Sequence, residues 1–339
     1  MKQYTREMFQ EETRQLTTYD KEKADKIKEG FGLSFDLPSS LVTRLSGWSK
    51  DDTVSVTPRA VFSFSSDHGI EEEGGLTDGF SLTTADMLRS LSKGTSELNI
   101  LGQKTDTQII PINLGTKGIE GALPGVVHAP VMASGSLNFA HEDALTEASM
   151  MTAVRLGIEF SGEAASRGFR LLIAACNSSS VDLAAVSIIA ALTGRQAEDL
   201  LERGPDIADG LFQRQLEVIA QAFAARAPYE EDAFDILKKF GGPDLAAMVG
   251  FYAGAAIYGV PVLLDDRASL AAALLVRRLL PETRDLFFAS HTRTDPASDR
   301  ALFELGITPV IEAPVRQEAG IGALFALPVF DLACALFEA

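Results

Sequence analysis

Glu318 is the one carboxylate in the glycine-rich stretch Val315-Arg316-Gln317-Glu318-Ala319-Gly320-Ile321-Gly322-Ala323, which runs on into the apolar segment Leu324 to Leu327 and Pro328. A carboxyl group held poorly solvated beside a small ligand gains basicity and can accept a proton. A turn of this kind with an apolar helix behind it offers that environment. The same residues also suit a loop in which the glycines supply positive φ and the acid stays in water. Both readings stand at this point.

A second set of polar residues falls where strand-like apolar segments stop. Asp67, His68 and Gly69 follow the first such segment; Cys176, Asn177, Ser178, Ser179 and Ser180 follow Ala174; Asp265 and Asp266 follow Leu264; Ser290 and His291 follow Phe288. Ligands of open parallel sheets sit beyond the carboxyl ends of the strands. Asp, Asn and Ser at such places also cap the helices that follow. Their coincidence at four strand ends favours a site. Asn177, Ser178 and Ser179, opening a helix, offer hydroxyls and free amides to a phosphate. Gly241 and Gly242 allow close backbone approach between two helices, and Asp244 reads as the N-cap of the second. The histidines at 68, 128, 141 and 291 and the two cysteines share no ligand spacing, so no metal and no cofactor are expected. No G-x-S-x-G, P-loop or G-x-G-x-x-G motif follows an expected strand.

The elements that must position these residues alternate. Strands are expected at 60–64, 107–114, 168–174, 260–264, 286–290 and 308–311. Between and after them the periodicity predicts helices around 84–101 and at 143–166, 183–203, 211–227, 244–257, 268–279 and 296–305. Residues 4–30 read as an exposed helix that packs on something else as an appendage. Near-continuous apolar strands such as Pro261-Val262-Leu263-Leu264, alternating with helices, imply an α/β fold with a doubly wound, mostly parallel sheet of six or seven strands.

At 339 residues and 46% hydrophobic composition the chain can bury a full core. A net charge of −17 and a pI near 4.7 leave no basic footprint for nucleic acid or an anionic membrane. Cys176 and Cys334, both in apolar sequence, read as core residues of a reducing compartment, and the charged start has no signal-peptide core. A cytoplasmic protein is expected.

The motifs Ser66-Asp67-His68-Gly69, Lys93-Gly94-Thr95, Phe240-Gly241-Gly242-Pro243-Asp244-Leu245, Pro261-Val262-Leu263-Leu264-Asp265, Ser290-His291 and the run from Gly320 to Pro328, in this order and spacing, resemble the nicotinate-nucleotide:dimethylbenzimidazole phosphoribosyltransferases of cobalamin nucleotide-loop assembly. The resemblance spans roughly 38–337 and is most specific from Phe234 to Phe337. It implies an α/β domain at 55–315, a small helical domain from 1–54 and 316–339, and a homodimer with sites near the subunit interface. The implied reaction has an azole nitrogen attack the anomeric carbon of nicotinate mononucleotide, expelling nicotinate and inverting to an α-riboside phosphate. The ligand side would draw on Asn177, Ser178, Ser179, Gly241, Gly242, Asp265, Ser290, His291, Gly320 and Gly322, and the base pocket on Asp67, His68 and Met87.

Several positions depart from the family pattern. Its catalytic glutamate stands in Gly-Glu-Gly-Ser-Gly, and an ungapped match puts Ala319 in that place and Glu318 one residue earlier. Its phosphate-binding Asn-Thr-Thr resembles Asn177-Ser178-Ser179, the acidic residue before that motif has no counterpart, its phosphate lysine falls on Gln215 with Arg214 beside it, and its azole-pocket glutamine falls on Met87. Two expectations follow. One is an active transferase for dimethylbenzimidazole or another azole or phenolic acceptor, with Glu318 as base and Arg214 as phosphate cation. The other is a catalytically silent relative that binds a nucleotide, base or corrinoid precursor, or accompanies an active subunit.

Overall fold

Every residue of β1 (Arg59–Ser66) is buried, which a strand achieves only where both faces of its sheet are covered. The structure is a computed structural model, and it describes residues 3–30, 36–49, 53–77, 82–203, 208–228, 231–313, 315 and 319–338. Besides β1, the strands are β2 (Thr107–Gly115), β3 (Val127–His128), β4 (Leu171–Cys176), β5 (Val262–Leu264), β6 (Phe287–His291) and β7 (Pro309–Ile311). They form one sheet in the order β3-β2-β1-β4-β5-β6-β7, every pair parallel. The helices are α1 (Arg6–Glu12), α2 (Lys21–Gly30), α3 (Leu37–Ser46), α4 (Thr84–Lys93), α5 (Glu97–Lys104), α6 (Glu147–Ser166), α7 (Val181–Thr193), α8 (Ala197–Leu200), α9 (Asp209–Arg226), α10 (Ala233–Phe240), α11 (Pro243–Tyr258), α12 (Arg267–Leu279), α13 (Pro296–Leu305) and α14 (Ile321–Glu338). This is the doubly wound α/β fold expected from the alternation.

Side chains of successive strand residues point to opposite faces, and the two cores follow that period. Phe62, Phe64, Leu172 and Ala174 join α6, α7, α11 and α12 on one face. Val61, Leu171, Ile173, Leu263 and Phe288 join α3 and α14 on the other. α14 packs on α3, α5, β6 and β7. Asp331 of α14 takes two hydrogen bonds from the buried Arg59 guanidinium of β1, at 2.5 and 2.9 Å. That bidentate pair ties the second half of α14 to the first residue of β1.

Three expected helices divide. The stretch expected around 84–101 is α4 and α5, broken where Gly94 takes a left-handed φ of 72°. Only glycine does this without strain, and it ends the helix. The helix expected at 183–203 stops likewise at Gly194 and resumes as α8. The stretch 4–30 is α1 and α2, and α1 packs on the rest of the chain, with Phe9 buried edge-on against Phe234 and ring centroids 5.2 Å apart. The two-residue β3 was not expected, nor was α3, although Asp36 caps it and Pro38 stands in its first turn. Among the described residues no helix is long and apolar enough to cross a membrane.

Candidate active site

The strand order reverses beside β1, with β2 on one side and β4 on the other. Such a switch point opens a crevice at the carboxyl ends of the two diverging strands. The β1 end supplies Asp67 and His68, the β4 end Cys176 to Ser180, and the start of α11 supplies Gly242 and Asp244.

Asp244 gathers this group. Its Oδ2 accepts from His68 Nε2 at 2.9 Å, from Ser178 Oγ at 2.6 Å and from the Cys176 thiol at 3.2 Å. The expected N-cap role is therefore corrected: Gly242 is the N-cap of α11, and the Asp244 side chain turns inward. A Cβ on Gly242 would lie 2.6 Å from His68 Cε1 and from Asp244 Oδ1, so glycine is what lets the backbone pass the pair. Burial alone would lower the His68 pKa, but the Asp244 charge and hydrogen bond outweigh it and hold the imidazole above its ordinary value. Burial alone would likewise raise Asp244, and the His68 charge with the bonds from His68, Ser178 and Cys176 keeps it below the usual carboxylate value. The two form a buried ion pair. Burial pushes the Cys176 thiol well up, so it stays a protonated donor.

From this knot the β4–α7 turn is tied to its neighbours. Ser178 Oγ accepts from Ser66 N at 3.0 Å, and Asn177 Nδ2 donates to Ser63 Oγ at 3.4 Å. The Ser179 amide donates to Thr84 Oγ1 at 3.0 Å. Thr84 opens α4, and Met87, half-buried, lies on its first turn. The Asp67 carboxylate accepts from the Lys117 amide. Gly241, C-cap of α10, leads directly into Gly242.

A second group forms at the ends of β5 and β6. Asp265 Oδ2 accepts from Gly320 N at 2.8 Å, and Oδ1 accepts from Ala323 N. Ser290 Oγ and His291 Nδ1 are 2.8 Å apart, and His291 Nε2 is 3.1 Å from the Val315 carbonyl. Since only Nε2–H can serve that carbonyl, Nδ1 accepts from the Ser290 hydroxyl. Ala319 and Gly320 take left-handed φ angles of 62° and 94° immediately before α14. A Cβ on Gly322 would overlap the His291 ring and lie 2.8 Å from Asp265 Oδ1. Glu318 lies outside the described residues, whereas Val315 and Ala319 on either side of it are described.

Asp266 caps α12, accepting from Ser269 N at 2.7 Å. Burial pushes Asp265 up to about 6, against the pull of Arg293 and the Gly320 and Ala323 amides. Burial and the adjoining Asp265 charge push Asp266 up to about 7. The folded state thus retains protons that the unfolded chain, with carboxyls at the ordinary 3.8, has already released. More protons bound to the folded state means that stability falls as pH rises between about 4 and 7. Asp266→Asn keeps the cap and removes most of this dependence. The stability difference between parent and variant is expected to move against the parent by about 1.4 kcal/mol per pH unit in that window. Urea midpoints at pH 5 and 7 measure it, and His68, which titrates in both proteins and does not depend on the Asp266 charge, cancels in the difference. A parallel pH dependence in the two proteins would refute the assignment.

Arg214 is engaged away from these groups: its Nη2 donates to the Glu73 carbonyl at 2.9 Å and pairs with the Glu73 carboxylate at 3.0 Å. Its neighbour Gln215 instead lines a cleft of about 270 Å³ with Asp182, Arg267, Arg293, Asp295 and Val315. Arg267 and Arg293 are buried, and their Nε atoms donate to the two oxygens of Asp295 at 3.0 and 2.9 Å. Arg267 also pairs with Asp182 at 2.9 Å. Burial alone would raise Asp295, but the two guanidiniums hold it well below the usual carboxylate range. Reading the sequence missed these two arginines, although Arg267 directly follows Asp266 and Arg293 lies two residues after His291, both at strand ends already singled out. Among the described residues no cluster of His, Cys, Asp and Glu is arranged to hold a metal ion.

Residues 34–339 match the phosphoribosyltransferase family. The nicotinate-nucleotide–dimethylbenzimidazole phosphoribosyltransferase of Pseudomonas putida is 30% identical over 297 residues, covering 88% of this chain and 84% of that protein. The enzyme of the same name from Geobacter metallireducens is 29% identical over 278 residues, covering 82% of this chain and 78% of its own. The crystal structure of CobT from Thermus thermophilus superposes with a TM-score of 0.82 at 24% identity, covering 97% of this chain and 95% of that one.

Proposed function

This chain belongs to the phosphoribosyltransferase family, and we propose that it moves the ribose phosphate of nicotinate mononucleotide onto dimethylbenzimidazole or a related azole or phenolic acceptor. In this reaction an azole nitrogen, or the hydroxyl oxygen of a phenol, bonds to the anomeric carbon as the bond from that carbon to the pyridine nitrogen breaks. Nicotinate leaves with the electron pair, and the acceptor's proton passes to a base, the role proposed for Glu318.

The observation that carries this reading is the cleft in which Gln215, standing where the family has its phosphate lysine, faces Arg267, Arg293 and Val315. Two buried guanidiniums aligned by Asp295 offer a phosphate the planar, charged donors it binds best. Asn177, Ser178 and Ser179 remain the proposed lining of the nucleotide side, and Asp67, His68 and Met87 that of the acceptor side. Purified protein given nicotinate mononucleotide and dimethylbenzimidazole should release nicotinate and yield an α-riboside phosphate, read by chromatography and NMR. No release with any azole or phenol acceptor would remove the activity.

Arg293→Ala is expected to weaken nicotinate mononucleotide binding by about 1–3 kcal/mol. Arg214→Ala, whose guanidinium is held by Glu73, should weaken it far less. Calorimetry on both variants decides which cation meets the phosphate.

A homodimer fits the surface of α14. Phe325, Leu332 and Leu336, spaced along one stripe of the helix, are 53%, 67% and 66% exposed, and Ile100 of the adjoining α5 is 53% exposed. An apolar stripe of this kind on a folded chain marks an interface. Leu332→Glu is expected to halve the mass measured by light scattering. Cys176 and Cys334 are both buried, which suits a cytoplasmic enzyme.

A further inference from the structure

We propose that Thr84 is a positioning residue that ties the acceptor side of the crevice to its nucleotide side, so that each substrate binds more tightly once the other is in place. This rests on the proposed function, which puts Met87 on the acceptor side and Asn177, Ser178 and Ser179 on the nucleotide side. α4 packs on β1 and β2, and its first residue reaches the β4–α7 turn. Thr84 Oγ1 accepts from the Ser179 amide at 3.0 Å and lies 2.9 Å from Ser179 Oγ. Further along α4, Arg89 Nη2 donates to the Gly118 carbonyl at 2.7 Å, directly after Lys117, whose amide holds Asp67. The helix thus bridges the two sides of the switch point. Met87 stands three residues after Thr84 and so on the same side of the helix.

The earlier residues of the turn answer to the sheet. The Asn177 amide donates to the Phe64 carbonyl at 2.8 Å, and the Ser178 hydroxyl donates to Asp244 while accepting from Ser66 N. Ser179 answers to α4 instead. Thr83 is the N-cap of that helix, its side chain accepting from Asp86 N, which leaves the Thr84 hydroxyl out of the capping and turned to Ser179. Thr84 is 0% exposed, so water cannot take over its bond to the Ser179 amide without local opening. A ligand that fixes α4 by packing on Met87 therefore fixes Ser179 as well, and one that fixes Ser179 fixes Thr84. What the first ligand has ordered the second need not order again, and such coupling is reciprocal.

Thr84→Val, which keeps the shape of the side chain and removes its hydroxyl, tests this against Thr84→Ser, which keeps the hydroxyl. Calorimetry with nicotinate mononucleotide is run with and without saturating dimethylindole, which has carbon where dimethylbenzimidazole has its attacking nitrogen and so cannot react. The parent is expected to bind the nucleotide about fivefold to tenfold more tightly when the indole is present. Thr84→Val should cut that factor to below about twofold, with the affinity for nucleotide alone within about threefold of the parent, and Thr84→Ser should restore most of it. Hydrogen exchange of the Ser179 amide in the ligand-free protein should quicken about tenfold in Thr84→Val and not in Thr84→Ser. A merely structural loss would weaken both titrations equally and leave their ratio intact. An intact ratio in Thr84→Val, unchanged exchange, or no enhancement in the parent overturns the proposal, and Thr84→Ala serves if the valine variant does not fold. A parent that shows the enhancement but no transfer removes the proposed function and leaves the coupling standing.

Discussion

Glu318→Gln is expected to lower turnover by about 10²–10⁴-fold and to leave the affinity for nicotinate mononucleotide nearly unchanged. An azole acceptor must lose its N–H proton as its other nitrogen bonds to carbon, and a positioned carboxylate contributes about that factor to such a step. Glutamine keeps the shape of the side chain and removes its basicity, so the loss should appear in kcat and not in binding. Glu318 is the only acid in the stretch Val315 to Ala323. Of the acids at the strand ends, Asp265 has both oxygens on backbone amides. The companion variant Ala319→Glu puts a carboxylate where the family pattern has one, and is expected to raise activity if the parent is slow. Steady-state kinetics on the three proteins, with nucleotide affinity measured separately, tests the assignment. A parent with high activity that is indifferent to Glu318→Gln would place the proton acceptor elsewhere.

Asp244→Ala is expected to destabilise the fold by about 3–5 kcal/mol, the usual cost of removing one partner from a buried ion pair. Three donors lose their acceptor at once: His68 Nε2, Ser178 Oγ and the Cys176 thiol. All lie out of reach of water, so none can be satisfied by solvent without local opening. Residues in one network couple, and the double variant His68→Gln/Asp244→Ala should cost less than the sum of its single substitutions. Urea unfolding of the four proteins gives the coupling directly. Additive losses would mean that the pair contributes nothing beyond its separate packing.

Six of the seven strands and their order of appearance were legible in the chain because they depend on local pattern. Phe62 and Phe64 alternate with Val61 and Ser63, the alternation marks two covered faces, and helices of amphipathic period separate one strand from the next. The polar clusters at the strand ends were legible for the same reason, since the place where an apolar run stops is itself a local signal. The break at Gly94 also had a local cause, in a glycine directly after a lysine-ended helix, though the pattern on either side of it reads as continuous. What those strand-end residues hold was decided only by the tertiary structure. Asp244 has the composition and position of an N-cap, and its carboxylate goes instead to His68, 176 residues away. Asp265 reads as a ligand residue, and its partners are amides 55 and 58 residues further along. Arg267 and Arg293 become a pair because Asp295 lies between their Nε atoms, and Arg214 is drawn off by Glu73. Periodicity carries information over one or two turns of chain, whereas a buried carboxylate takes whichever donors the packed core brings within about 3 Å.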